Sequence, residues 1–157
     1  MPLKDILILG FGSDILSDEG LAIQLVLDLK KKWDHLSDFN TYLTFSLDVI
    51  HDIAGYEKLI MIDTVEDVIV GNVNKFLLNE YKPTLHIKNY HDISLKQAIA
   101  YGKKIEIELP KNIELITVSI AEIGLIDDSF SKSLIQNYQR ILFEVESLIY
   151  KTIFQPV

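Results

Sequence analysis

Cysteine is absent from this sequence. Disulfides, thiolate metal sites and a cysteine nucleophile are excluded together, so any metal ligands must come from His, Asp and Glu. Positive charge is also scarce. Lys and Arg number 15 against 23 Asp and Glu, a formal net charge of −8. A surface that acidic repels phosphate backbones and speaks against nucleic acid as a partner. No apolar run approaches the roughly 18 to 20 residues that a membrane span requires. The opening Met-Pro-Leu-Lys-Asp leads directly into a strand pattern without the succession typical of a secretory signal, so a cytoplasmic protein with no membrane partner is expected. Gly/Ser linkers, internal repeats and low-complexity tracts are missing too, which predicts a single domain over residues 1–157. No Gly-x-Ser-x-Gly elbow is present, and a serine hydrolase therefore has no motif behind it.

What is present suits a sizeable core: 48% of the 157 residues are hydrophobic and 24% are charged, the balance of an ordinary globular domain. Residues 6–9 form a continuous apolar run, as expected of a strand buried on both faces. Residues 18–33 then change to helical spacing. Leu21, Leu25 and Leu29 recur at four-residue steps, Lys30, Lys31 and Lys32 suit the last turn, and Ser17 or Asp18 is placed to cap the first. Residues 35–40 read as a polar connection, and residues 41–45, rich in β-branched and aromatic side chains, as a second strand. A short helix over 47–54 ends at Gly55, and residues 58–62 form a third strand ending at Asp63-Thr64. Residues 68–78 have strand character and suit an antiparallel edge, with 85–87 a brief further candidate. A polar stretch precedes a helix carrying Leu95, Ala98 and Ile99, closed by Gly102. Residues 113–120 read as the last central strand. A long helix begins at Asp127, Asp128 or Ser129 and carries Leu134, Tyr138, Ile141, Val145 and Leu148 along one side. Helix-separated apolar strands in this order predict an α/β fold with three layers. Its mostly parallel twisted sheet is flanked by helices on both faces and has an antiparallel edge strand.

The chemistry concentrates after the first strand, in Gly10-Phe11-Gly12-Ser13-Asp14-Ile15-Leu16-Ser17-Asp18-Glu19-Gly20. Gly10-x-Gly12 has the start of a dinucleotide-binding loop, but Ile15 stands where the third glycine belongs. The acids that follow would repel a pyrophosphate, so no nucleotide cofactor is expected. Glu19, Asp63 and His91 each lie just beyond a predicted strand or open a helix. The carboxyl ends of strands one and three share an edge in a parallel sheet, so two carboxylates and an imidazole would meet there in a set that suits a divalent transition metal. Each residue also has an ordinary structural account. Glu19 is a first-turn acid, Asp63 a turn former and His91 a capping or surface histidine. Spacing alone does not choose between these accounts. His35, His51 and His86 are expected to face solvent.

Taken together, these segments resemble the hydrogenase maturation proteases, endopeptidases that remove the C-terminal extension of the nickel-iron hydrogenase large subunit after nickel insertion. The family's opening strand, Gly-x-Gly-Asn and Asp-Glu or Asp-Asp before the first helix correspond to residues 6–20. Its Thr-containing turn and short helix correspond to Thr44-Phe45-Ser46-Leu47-Asp48-Val49-Ile50. Its buried strand ending in Asp corresponds to Leu59-Ile60-Met61-Ile62-Asp63, and its loop histidine before a helix to His91-Asp92-Ile93-Ser94-Leu95. The resemblance implies that Glu19, Asp63 and His91 are the metal-contacting and catalytic residues. It also implies that the nickel is carried by the substrate (another divalent metal being an alternative), that the partner is a hydrogenase large-subunit precursor, and that the protein acts as a monomer. Asp18 is implied as a neighbouring acid or a helix cap.

The sequence departs from the family pattern in several places. Ser13 replaces the Asn after Gly-x-Gly. The family's Asp-Gly-Gly-Thr-x-Gly turn is here Thr41-Tyr42-Leu43-Thr44-Phe45-Ser46, Asn89-Tyr90 replaces Ser-Pro before the histidine, and Ser94 replaces a Gly. A glycine turn lets substrate backbone come close. Its loss admits an alternative function, that of a non-catalytic metal-sensing assembly factor that binds a metalloprotein precursor without cutting it.

Overall fold

The apolar run at the start of the chain becomes strand β1 (Ile6–Phe11), which pairs in parallel with a strand on each side. The computed structural model describes residues 4–12, 17–43, 49–80, 91–121 and 129–155, the side chains of residues 79 and 91–96 excepted. A 3-10 turn (Ser17–Gly20) and helix α1 (Leu21–Trp33) follow β1, then strand β2 (Asp38–Tyr42), short helix α2 (Val49–Ile53) and strand β3 (Lys58–Glu66). Strand β4 (Val73–Leu77), helix α3 (His91–Lys104), strand β5 (Asn112–Ile120) and helix α4 (Lys132–Phe154) complete the order.

The five strands form one sheet in the order β2-β1-β3-β5-β4, and all neighbours are parallel except β4 against β5. This is the α/β sheet with an antiparallel edge strand that the alternation of apolar runs and helices predicts. Successive strand residues point to opposite faces, and the core divides accordingly. Ile8, Ile60, Ile62, Ile116 and Val118 pack under α1 and α4. Leu7, Leu9, Phe11, Leu59, Met61 and Leu115 pack under α2 and α3. Helices on both faces explain why β1 and β3 are apolar without alternation.

Several boundaries differ from the sequence reading, each for a tertiary reason. The second strand runs over Asp38–Tyr42 rather than 41–45, because Leu7 to Phe11 of β1 offer their pairing partners to Asp38 through Tyr42. Edge position explains how a strand as polar as Asp-Phe-Asn-Thr-Tyr is tolerated there, since only one of its sides is paired. The third strand does not stop at residue 62. It continues through Asp63 and Thr64 to Glu66, because β5 pairs with it in register up to Ile120. Helix α4 is capped by Ser131, whose Oγ accepts from the Leu134 amide at 3.3 Å, so it begins later than the expected start at 127–129, of which 127 and 128 lie outside the described residues. Along α4, Leu134, Ile141 and Val145 are fully buried, while Tyr138 and Leu148 pack at the margin of the same cluster. The strand candidate at 85–87, and the first two residues of the short helix expected over 47–54, lie outside the described residues.

Candidate active site

Strand order decides where a site can form. From β1 the chain moves through α1 to β2 on one side, then crosses through α2 to β3 on the other. Connections that leave neighbouring strands in opposite directions open a crevice at the carboxyl ends of those strands, and ligands of open α/β sheets bind there. In this chain the crevice lies between the ends of β1 and β3.

Glu19 reaches that edge through the 3-10 turn after β1 and is half-buried. The placement depends on glycine, though for a reason other than a sharp turn. A Cβ at Gly12 would stand 2.1 Å from the Glu19 carbonyl oxygen, and one at Gly10 would stand 2.7 Å from Val26 Cγ2 and 2.9 Å from the Ala22 oxygen. The two glycines therefore let the end of β1 touch the backbone of the following turn and helix. The turn itself holds a positive φ of 32° at Ser17, an uncommon conformation for a residue with a side chain.

Asp63 lies within β3, 2% exposed, in register with Thr117 of β5. Its Oδ1 accepts the Thr64 amide at 2.8 Å. By strand alternation it shares the α2/α3 face with Met61. His91 is the first residue of α3. The far end of that helix is tied to the amino-terminal edge of the sheet, where Ile107 donates to the Gly102 carbonyl and Lys111 to the Glu57 carbonyl. A helix of 14 residues spans about 20 Å, which carries the backbone of His91 back toward the carboxyl edge, on the α2/α3 side. The imidazole itself lies outside the described residues. Among the described residues no three His, Asp or Glu groups form a cluster able to hold a metal. The set Glu19, Asp63 and His91 therefore stands on the placement of the three elements, at one edge of the sheet.

Of the two tasks expected of Asp18, the cap on the first helix is taken by another residue. Asp18 is 5% exposed and does not cap α1, whose N-cap is Gly20 without a side-chain bond. Its two carboxylate oxygens accept the Ser131 amide and the Ser131 hydroxyl, both at 2.7 Å. Asp18 thus fixes the cap of α4 to the turn that carries Glu19. No local signal in the sequence announces a bond between residues so far apart.

Tyr42 is a second feature not visible in the sequence, and it stands where the family pattern has its glycine-rich turn. Its ring stacks on Phe11 with centroids 5.7 Å apart. Its hydroxyl donates to Asp52 at 2.5 Å and accepts from the Asn40 amide at 3.1 Å. Burial first, then the Asp52 carboxylate, push the Tyr42 phenol well above the ordinary tyrosine value of 10. It stays protonated and works as a donor that fastens α2 to β2.

No protein-family model matches the chain, and no curated protein matches its sequence. Solved structures do match. The hydrogenase maturating endopeptidase HybD of E. coli superposes with a TM-score of 0.71 at 16% identity, covering 94% of this chain and 93% of that one. The chain has the fold of the hydrogenase maturation proteases. The NiFe hydrogenase maturation protease HybD of Thermococcus kodakarensis gives 0.68 at 20% identity, with 91% and 97% covered. A hydrogenase 2 maturation peptidase from a Thaumarchaeota archaeon gives 0.61 at 19% identity, with 95% and 97% covered. The likeness runs over nearly the whole of each chain.

Proposed function

We propose that this protein is an endopeptidase of hydrogenase maturation. It would remove the C-terminal extension of a nickel-iron hydrogenase large-subunit precursor, acting as a monomer in the cytoplasm. The observation that carries the reading is the near full-length fold match to maturation proteases, and the positions of Glu19 in the turn after β1 and of Asp63 in β3 support it. In this reading nickel is the cargo of the substrate. Glu19 and Asp63 contact it as carboxylates and His91 as the imidazole, so that a correctly loaded precursor is the one that is cut. Two carboxylates and an imidazole are a donor set suited to a divalent transition metal, nickel or another. A metal in such contact polarises a carbonyl or lowers the pKa of a bound water. The chain's own part is to hold the loaded centre and the scissile peptide in one crevice. The backbone contact of Glu19 with Gly12 holds the turn that carries Glu19 against β1.

Tyr42 favours a second reading. An aromatic ring packed on Phe11 fills the place of a glycine turn, which narrows the approach of substrate backbone. A non-catalytic assembly factor would bind the loaded precursor there and release it uncut.

The experiment is precursor processing. Purified protein, wild type and Glu19→Ala side by side, is mixed with nickel-loaded precursor large subunit. The expected result is C-terminal shortening by the wild type, reduced by at least about a hundredfold in the variant, as when a group that stabilises a transition state is removed. An intact precursor beside a working control protease overturns cleavage. Co-elution of uncut precursor with the wild type, lost in Glu19→Ala, would then select the assembly factor.

A further inference from the structure

The amino-terminal edge of the sheet, remote from Glu19 and Asp63, carries a cleft of about 790 Å³ between α4 and the strands β3, β5 and β4, in which charged side chains stand beside apolar surface such as Leu77. Lys58, Lys75, Asn112, Glu114, Lys151 and Gln155 line it. Their convergence follows from register. Lys58 pairs with Asn112, and Leu77 of β4 with Glu114, which places Lys75 and Glu114 on the face under α4. The last turns of α4 bring Thr152, Lys151 and Gln155 over them.

Glu114, 7% exposed, forms the floor. Its Oε2 accepts the Thr152 hydroxyl at 2.6 Å, and Lys75 Nζ stands 3.7 Å from its Oε1. Lys58 Nζ donates to the Thr152 carbonyl at 3.1 Å. Among the described residues the side chains of Asn112, Lys151 and Gln155 make no hydrogen bond or ion pair. Among the described residues one carboxylate therefore faces three ammonium groups, in a chain whose net charge is −8. Like charges gathered in a partly enclosed cleft repel one another unless a counter-charge arrives. Lysine ammonium groups and side-chain amides are the donors that a multiply charged oxyanion uses.

We propose that this cleft binds a small organic molecule that carries two negative charges on oxygen, a phosphate ester or a dicarboxylate. The surplus cations hold the anion, Asn112 and Gln155 supply neutral donors, and the volume leaves room for an organic body beyond the charged group. The inference is independent of the protease reading, since no residue is shared with the crevice at the other edge.

Calorimetric titration with glycerol 3-phosphate and with malate tests it, at fixed ionic strength set by sodium chloride. Amide shifts are followed in parallel by NMR. Expected is saturable 1:1 binding of at least one probe, with the tighter one naming the anion. Shifts should centre on Lys75, Glu114 and Lys151. Lys151→Ala, an exposed change that leaves the core intact, should weaken binding about tenfold, the loss of one charge-assisted hydrogen bond. Lys31→Ala, whose ammonium pairs with Asp28 on α1, should leave it unchanged. No saturable binding of either probe, or equal weakening by both variants, would overturn the proposal.

Discussion

Gly12 and Glu19 meet backbone to backbone, and that single contact determines where the acid of the first turn can stand. The sequence motif shows two glycines ahead of a pair of acids, but the reason for the glycines is steric rather than conformational. Neither has the positive φ found at Gly55 and Gly71. What Gly12 lacks is a Cβ, which would lie 2.1 Å from the Glu19 oxygen. Gly12→Ala must therefore push the 3-10 turn away from β1. An overpacked contact of this kind costs about 1 to 3 kcal/mol, read as a lowered midpoint in urea unfolding with unchanged slope. The displaced turn should lower precursor processing beyond the loss of folded protein. Normal stability in the alanine variant would show that the turn moves freely. Asp18 teaches the complementary lesson. Its neighbours in sequence suggest a cap on α1, yet its partner is Ser131, 113 positions away.

At the scale of elements, the joint between β2 and α2 is where this chain departs most from the pattern it otherwise resembles. Phe11 and Tyr42 are register partners on adjacent strands as well as stacked rings. The Tyr42 hydroxyl then carries the joint across to Asp52 on a helix of five residues. A helix that short has little stability of its own, so it depends on Val49, Ile50 and Ile53 in the core and on this one polar tie. Tyr42→Phe keeps the stacking and removes the tie. The expected effect is small globally, about 1 kcal/mol, but concentrated locally. Amide exchange in α2 should quicken while exchange in β1 and β3 stays as slow as before. Equal quickening throughout would mean that the tie supports the whole fold rather than α2.

For the whole molecule, two further phenol–carboxylate pairs join with that of Tyr42 and Asp52 to make stability depend on pH at both ends of the scale. Tyr138 of α4 donates to Asp28 of α1, and Tyr56 donates to Asp38 of β2 at 2.8 Å. Burial by itself raises the Asp28 carboxyl, but hydrogen bonds from Tyr138, Lys31 and Gln24, together with the Lys31 charge, bring it below its ordinary 3.8. A lowered carboxyl contributes stability above its unfolded value and loses it as pH falls through the folded one. Burial, and then the Asp38 carboxylate, raise the Tyr56 phenol from 10 to about 12. That contribution is complete below pH 10 and fades as pH climbs toward about 12. The urea midpoint should therefore fall below pH 4 and again above pH 10, and Tyr56→Phe should lessen the alkaline fall, with Tyr42 and Tyr138, raised in the same way, carrying the rest. An alkaline fall unchanged in that variant would assign it to other groups.

Much of this architecture is legible in the chain itself. Apolar runs too short for a membrane and too uniform for a half-exposed sheet can only be strands buried on both faces. Four-residue spacing between them can only be helices covering that sheet. Those local patterns determine the α/β class, the core stripes of α1 and α4, and the candidacy of Glu19, Asp63 and His91, because burial free energy acts on each segment through its own periodicity. Pairing partners are a different matter. The shift of β2 to Asp38–Tyr42, the extension of β3 past Asp63, the link from Asp18 to Ser131 and the gathering of Lys58, Lys75 and Glu114 all depend on which strand lies beside which. Tertiary structure alone decides these, since a hydrogen bond or a charge contact forms between groups that are close in space, whatever their distance along the chain.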